Sequence, residues 1–387
     1  MYQRELSYRL AKRLREPRHF MQIVMGPRQT GKTTAIQQAL QQVGLPYHVA
    51  SADASEQSPA WIEVEWRQAR NAAMRGQAIL VLDEIQKVPE WSNTVKALWD
   101  EDSWNGAPLT VVLSGSSSLL LAEGLTESLA GRFELLRSTH WSFSEMHDAF
   151  GYTIDDYLHF GGYPGAASLS QDELRWRSYM RDSIIETTIS RDILQMEHVR
   201  KPALMRALFD LGAQYSAQEL SYRKILGQLD DKGNTDTVKH YLTLLEGAGI
   251  MSGLQKYHGK QVVSRASSPR LMVHDPSLMT ASWRGSGNLL HDPALRGHLV
   301  ETAVGSTLIA RSQLENFELY WWREGNLEVD FVLKRGDDMI AIEVKSGRIK
   351  KSGIGEFCKL YKTARPIVVG ARNAPLDAFL AGEIPLF

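Results

Sequence analysis

The sequence predicts an α/β protein built on a parallel sheet. Three observations carry that reading. The runs Met21–Met25, Ala78–Leu82 and Leu109–Leu113 are apolar almost throughout, as strands covered on both faces must be. Helical stretches lie between them, the alternation of a parallel sheet. The first run opens at once into a glycine loop that leads into a helix.

The chain has 387 residues, room for two or three domains. Its 43% hydrophobic and 23% charged residues exclude a mainly disordered chain, a collagen and a coiled-coil rod. Lys and Arg number 44 against 45 Asp and Glu, so any nucleic-acid contact must come from local patches. The single cysteine, Cys358, allows no internal disulfide and excludes cysteine-based zinc and iron–sulfur sites. No apolar run approaches the ~18 residues that span a bilayer. The N-terminus lacks the apolar core of a signal peptide. A cytoplasmic protein with no membrane partner is expected.

In chain order, residues 1–140 read as the sheet domain. Leu6, Leu10 and Leu14 repeat at helical spacing, so a basic opening helix packs on the sheet that comes after it. Residues 141–210 read as a helical lid or connector, broken by the turn cluster Phe160–Gly165. Residues 211–275 read as three helices and two strands. Val238, Tyr241, Leu242 and Leu245 mark the third helix, and Ile250–Tyr257 with Leu271–His274 form a wing. Residues 276–387 form a third unit. It has a helix near Leu299–Arg311, a hairpin of Glu328–Leu333 and Met339–Lys345, and a short strand from Pro366.

Gly26-Pro27-Arg28-Gln29-Thr30-Gly31-Lys32-Thr33 fits the G-x-x-x-x-G-K-[ST] pattern. Its glycines let backbone N–H groups turn around phosphate oxygens, and the following helix, from Thr34 on, aims its positive end at the same charge. Lys32 is expected on the β and γ phosphates and Thr33 on Mg²⁺. Asp83 and Glu84 end the second apolar run, the place for a metal-orienting carboxylate followed by a water-activating one. Ser114 and Ser116 end the third, and Ser116 is the chosen sensor of the γ-phosphate or its water. Arg132 stands where an arginine would complete a neighbouring subunit's site in a ring; a surface salt bridge is the alternative. ATP and Mg²⁺ are the expected cofactors.

The strings GPRQTGKTT, VLDEIQKVPEW, VLSGSSSLLL, SLAGRFELL, FGGYPGA and IEVKSG occur in this order. Together they resemble the bacterial and archaeal family of AAA-type ATPases that carry a C-terminal domain of unknown function. The resemblance covers nearly the whole chain, and it implies an ATPase core with the roles given to Lys32, Thr33, Asp83, Glu84 and Arg132. The chain departs from the family pattern at Thr139–Ser142, where no assigned residue lies.

In the third unit, alternation along the strands puts Glu343 and Lys345 on one face, and the hairpin brings Asp330 opposite Glu343. Two carboxylates and a lysine then converge, a set able to hold Mg²⁺ and activate water. The arrangement resembles the PD-(D/E)XK nuclease core, archaeal Holliday-junction resolvases in particular, whose glutamate on the preceding helix would be Glu301. Alternating charge on an exposed hairpin is the plainer reading. The stretch from Ser216 to Tyr257 resembles a winged helix offering Thr237, Lys239, His240 and Thr243, with Lys256, His258, Lys260 and Arg265 nearby. That suits phosphate contacts better than base reading. Of Trp321 and Trp322, one should face outward, where it would stack a base or fill an interface.

The expectation is an oligomeric, ring-forming AAA-type ATPase acting on DNA, with branched or Holliday-junction DNA as substrate in recombination or repair. One alternative is an ATP-dependent nuclease using Glu301, Asp330, Glu343 and Lys345. The other is a nucleotide-gated switch with a protein partner.

Overall fold

The strand Met21–Met25 (β1) is buried at all of its positions. This is a property of a computed structural model that describes residues 2–53, 57–115, 128–194, 199–229, 234–259, 268–285, 289–345 and 352–387. The chain divides into two compact units, residues 1–139 and 140–387.

The first unit begins with helix α1 (Glu5–Leu14), then β1, α2 (Lys32–Val43), β2 (Tyr47–Ser51), α3 (Pro59–Ala73), β3 (Ala78–Asp83), α4 (Trp91–Asn105), β4 (Leu109–Gly115) and β5 (Phe133–Arg137). The five strands run parallel in the order β2-β3-β4-β1-β5. Strand β4 therefore lies between β1 and β3, and the loops after all three open at one edge. Leu6, Leu10 and Leu14 pack with Ile36, Leu40 and Val81 on one face. Ile62, Trp66, Val95 and Trp99 pack with Ile23, Leu80 and Leu113 on the other. Both faces are covered, which is why the strands carry so little polarity. The opening helix is part of this core, as expected.

The second unit starts with α5 (Phe143–Phe150) and α6 (Ile154–Phe160), each begun by a reciprocal capping box, at Ser142–Glu145 and Thr153–Asp156. Helix α7 (Glu173–Tyr179) runs on into two π-helical segments, Met180–Ile185 and Thr188–Ile193. Next come α8 (Pro202–Gln214), β6 (Gln218–Glu219), α9 (Tyr222–Gln228), α10 (Thr235–Gly247), β7 (Met251–Leu254) and β8 (Arg270–Val273). Three helices and the antiparallel sheet β6-β8-β7 make a winged-helix topology. Its first helix starts at Pro202, ahead of the boundary expected at 210. Helix α11 (Pro276–Ser282), placed by the sequence in the last unit, packs on α6 and α8.

The remainder is α12 (Pro293–Glu315), β9 (Glu318–Glu324), β10 (Leu327–Arg335), β11 (Asp338–Val344), α13 (Ile354–Leu360), β12 (Ala364–Val369) and α14 (Leu376–Leu380). Strands β9, β10 and β11 form an antiparallel meander, and β12 lies parallel to β11 after the α13 crossover. Both Trp321 and Trp322 are buried, contrary to the expected alternation. Trp322 faces the core with Val329 and Phe357. The other face of β9 is covered by the winged-helix strands, and the Trp321 indole donates to Leu254 O at 3.1 Å. Neither ring is available to stack a base. Among the described residues, no helix is long and apolar enough to cross a membrane.

Candidate nucleotide-binding site

The loop Gly26–Gly31 joins the C-terminal end of β1 to α2. A Cβ on Gly26 would fall 1.9 Å from the Ser138 carbonyl oxygen, so only glycine lets the loop pass β5. Gly31 (φ 82°) precedes helix α2 and supplies no side-chain cap, leaving the helix's first N–H groups for an anion. Lys32 is buried within the loop, and its ammonium donates to the Gly26 and Pro27 carbonyls at 3.0 and 2.7 Å. Thr30 donates to Pro27 O at 3.0 Å, and Arg28 is half-buried.

Asp83 is the hub of the site. Its carboxylate accepts from the Thr33 hydroxyl and from the Glu84 backbone N–H, each at 3.1 Å, and from the Ser114 hydroxyl. This follows from strand order, because β4 next to β3 puts Ser114 beside Asp83. Ser116, the residue the sequence favoured, lies outside the described residues. Glu84 adopts a left-handed φ of 55°, a conformation costing of order 1 kcal/mol and typical of functional corners. Its carboxylate accepts from Gln86 Nε2 at 2.8 Å. The Thr33 hydroxyl and the Asp83 carboxylate are hard oxygen donors side by side, a set that fits Mg²⁺ completed by nucleotide phosphates.

Arg4 was not singled out by the sequence. It is buried just before α1, and Nη1 donates to the carbonyls of Thr30 at 3.0 Å and Thr139 at 3.2 Å. The Thr30 and Ser138 hydroxyls lie 3.0 Å apart, so one buried cluster braces the loop from behind.

Arg132 stands elsewhere. Its carbonyl accepts from Met21 N at 2.9 Å, at the start of β1, whereas the loop leaves the other end of that strand. The guanidinium grips Asp100 of α4 with two bonds, of 2.8 and 3.0 Å. This holds the Asp100 carboxyl below its usual range. Within its own chain Arg132 does not join Lys32 and Glu84.

The hairpin register runs through Phe331–Ile342, which sets Asp330 opposite Glu343 one step on, as the spacing implied. The metal set is nevertheless not assembled. Among the described residues no three His, Cys, Asp or Glu side chains stand where they could hold an ion. The cation beside Asp330 is instead Arg270 of β8. Its guanidinium donates to Asp330 O at 3.0 Å and to the Glu328 carboxylate, and lies 3.7 Å from Asp330 Oδ1. Asp330 Oδ2 accepts from Val344 N at 2.9 Å. Glu343 accepts from the Ser352 hydroxyl, Lys345 is exposed, and Glu301 is buried on α12.

In the winged helix, His240 and Thr243 are exposed and Thr237 half-buried. Lys239 is engaged, 4.0 Å from Asp236 and 5.3 Å over the Tyr222 ring. Lys256 lies 5.9 Å over Trp321, while Lys260 and Arg265 fall outside the described residues.

Known proteins match the chain in three segments. A model for an AAA domain matches residues 18–147, one for a domain of unknown function (DUF8612) matches 152–287, and another (DUF4143) matches 296–384. An uncharacterized protein of Mycobacterium tuberculosis is 28% identical over 274 residues, covering 70% of this chain. One of Methanocaldococcus jannaschii is 22% identical over 273 residues, covering 66%. The chain spans 58% of the length of either relative. Among solved structures, the Thermotoga maritima RuvB Holliday junction branch migration motor aligns with a TM-score of 0.34 and 15% identity, over 64% of this chain and 89% of that one. The Aeropyrum pernix ORC1 protein in complex with DNA aligns with 0.32 and 14%, over 72% and 91%. The glycine loop with its lysine and the carboxylate pair ending β3 both lie within the segment that matches an AAA domain, and a segment matching a domain of unknown function lies on its C-terminal side.

Proposed function

We propose that the chain binds ATP with Mg²⁺ on Gly26–Thr34, hydrolyses it to ADP and phosphate, and couples that cycle to DNA. The observation that carries the first step is the meeting of Thr33, Ser114 and the Glu84 N–H on one carboxylate, Asp83. Lys32 turns from the loop carbonyls to the phosphates. Thr33 and Asp83 would hold the ion, which would supply charge neutralisation at the phosphate oxygens. Glu84 accepts the proton of the attacking water once Gln86 releases it. Arg132 serves a neighbouring copy, leaving Asp100 to meet the γ-phosphate there, so the working form is a homo-oligomer.

The DNA reading is supported by the winged-helix topology and by the exposed His240 and Thr243 on α10. Phosphate contacts rather than base reading suit a helix whose one lysine is already engaged. Branched DNA is the substrate to try first, since the last unit resembles junction resolvases in its strand pattern. A protein-directed switch is the second reading, favoured by that same engaged lysine.

Steady-state hydrolysis at fixed low salt separates the readings. The panel is no DNA, single strand, linear duplex and four-way junction, with Lys32→Ala as blank. Strong stimulation by the junction supports a structure-specific motor. Lys32-dependent hydrolysis that no DNA alters supports the switch. Hydrolysis that survives Lys32→Ala refutes the site itself.

A further inference from the structure

The two π-helical segments after α7 follow one another along one wall of a cleft of about 240 Å³. π-Helical turns are rare and concentrate at functional sites, because the widened backbone re-aims side chains. The opposite wall comes from α8 and the end of α11. The floor is apolar, with Ile185, Ile189 and Phe209 all buried.

The rim is cationic. Four arginines against three carboxylates leave the lining with one net positive charge. Three of the guanidiniums are held in place. Arg177 donates to Trp283 O at 2.9 Å, Arg206 to Glu186 at 2.6 Å and Arg284 to Asp210 at 2.5 Å. Arg181 has no such bond among the described residues, and it is exposed. Trp283 lines the same cleft and is half-buried, and its indole N–H, itself covered, has no acceptor among the described residues. A buried donor left unsatisfied is costly, so such a group marks a place where an acceptor belongs.

We infer that this cleft seats one nucleotide unit. Its phosphate lies on Arg181, its flat base lies on the apolar floor, and the half-buried Trp283 ring turns its covered N–H to a base acceptor. The single net charge matches a phosphodiester. The volume is just below the ~300 Å³ at which drug-sized pockets begin, which suits one nucleotide and excludes a duplex. Inorganic phosphate alone would leave the floor uncovered. The nucleotide comes either from the free pool or from a single strand, and only the second source rests on the DNA reading above.

The experiment uses the full chain carrying Lys32→Ala, so that the phosphate loop does not compete. Binding of thymidine monophosphate is followed by calorimetry, and binding of a labelled oligo-dT strand by fluorescence anisotropy. Each is repeated with Arg181→Glu, at an exposed position, and with Trp283→Phe, which keeps an aromatic ring and removes the N–H. Arg181→Glu should weaken the occupant about 10-fold or more and shallow the salt dependence of strand binding. Trp283→Phe should weaken it several-fold, with an unchanged melting temperature confirming the fold. Loss confined to the strand identifies the strand as source. Loss confined to the mononucleotide keeps the cleft and removes support from the DNA reading. Affinities that change less than about two-fold in both variants, for both ligands, overturn the inference.

Discussion

The Thr33 hydroxyl donates to Asp83 Oδ2 at 3.1 Å, tying the first turn of α2 to the end of β3. The two oxygens that would flank Mg²⁺ are already neighbours, so little reorganisation is needed when the nucleotide arrives. Thr33→Val keeps the shape and removes the oxygen. Hydrolysis should fall on the order of 10²-fold, and the Mg²⁺ concentration for half-maximal rate should rise. An unchanged Mg²⁺ titration in this variant would remove Thr33 from the ion's shell.

Glu84 has a different task, and its variant should show a different kinetic signature. Glu84→Gln keeps the left-handed corner and a hydrogen-bonding group beside Gln86, but cannot take a proton from water. Turnover should drop about 10²- to 10⁴-fold while nucleotide affinity stays within about two-fold. A matching loss of affinity would mean that Glu84 positions the loop instead of the water.

Arg4 acts on the loop from behind. A peptide unit is planar and trans, so the Thr30 carbonyl held on Arg4 turns the Gly31 N–H the opposite way. Arg4→Met keeps the apolar stem and removes that hold. Affinity for a fluorescent ADP analogue should fall about 10-fold, equivalent to ~1.4 kcal/mol. Arg4→Lys should recover only part of it, because the shorter lysine side chain stops short of the point where Arg4 Nη1 meets both the Thr30 and Thr139 carbonyls. Wild-type affinity in Arg4→Met would show that α1 merely packs.

The sequence revealed what rests on local pattern. Uniform apolar runs named the strands, and the spacing of Gly26, Gly31, Lys32 and Thr33 named the loop. What it missed depends on partners distant in the chain. Ser114 and Ser116 are alike in sequence, and only the place of β4 beside β3 brings Ser114 to Asp83. Trp321 belongs to a strand whose far side is covered by β7 and β8, so alternation could not foretell its burial. Asp330 and Glu343 were rightly set opposite one another. Arg270, whose guanidinium lies against Asp330, comes from a strand read only as a wing.

Arg270 therefore has a stability role that can be measured. Nearly buried, it bonds Glu328 and Asp330 O and lies 5.1 Å over Trp321, fastening the winged-helix sheet to the last sheet. Arg270→Ala takes the cation from beside the buried Asp330 carboxylate, while Glu328 keeps Arg323, and should cost about 3–5 kcal/mol. Arg270→Met with Asp330→Asn should cost clearly less, since no uncompensated charge remains there. Denaturant melts of the single and double variants decide this. Equal losses in both would assign the cost to packing rather than charge.

His274 and Asp275 are adjacent, buried and pushed in opposite senses. Burial lowers His274, 2.5 Å from Ser252 Oγ, from 6.5 to about 4. The folded state then holds it neutral where the unfolded chain would bind a proton. Stability present above about 6.5 is lost as pH falls toward about 4, by at most about 3 kcal/mol. Burial raises Asp275 from 3.8 to about 6, against the lowering effect of its bonds from Ser277 and Gly162. Its contribution is complete below about 3.8 and is lost as pH rises through about 6. Across pH 4–6 the two slopes oppose, so the wild-type profile should be shallow. His274→Gln should leave a protein that gains stability on acidification, and Asp275→Asn one that loses it. The closeness of Gly162 makes Asn, not a larger residue, the right probe: a Cβ there would already lie 3.0 Å from Asp275 Oδ2. Urea melts at several pH values between 4 and 7 measure both slopes. If the two variants track the wild type, the pair does not titrate in this window.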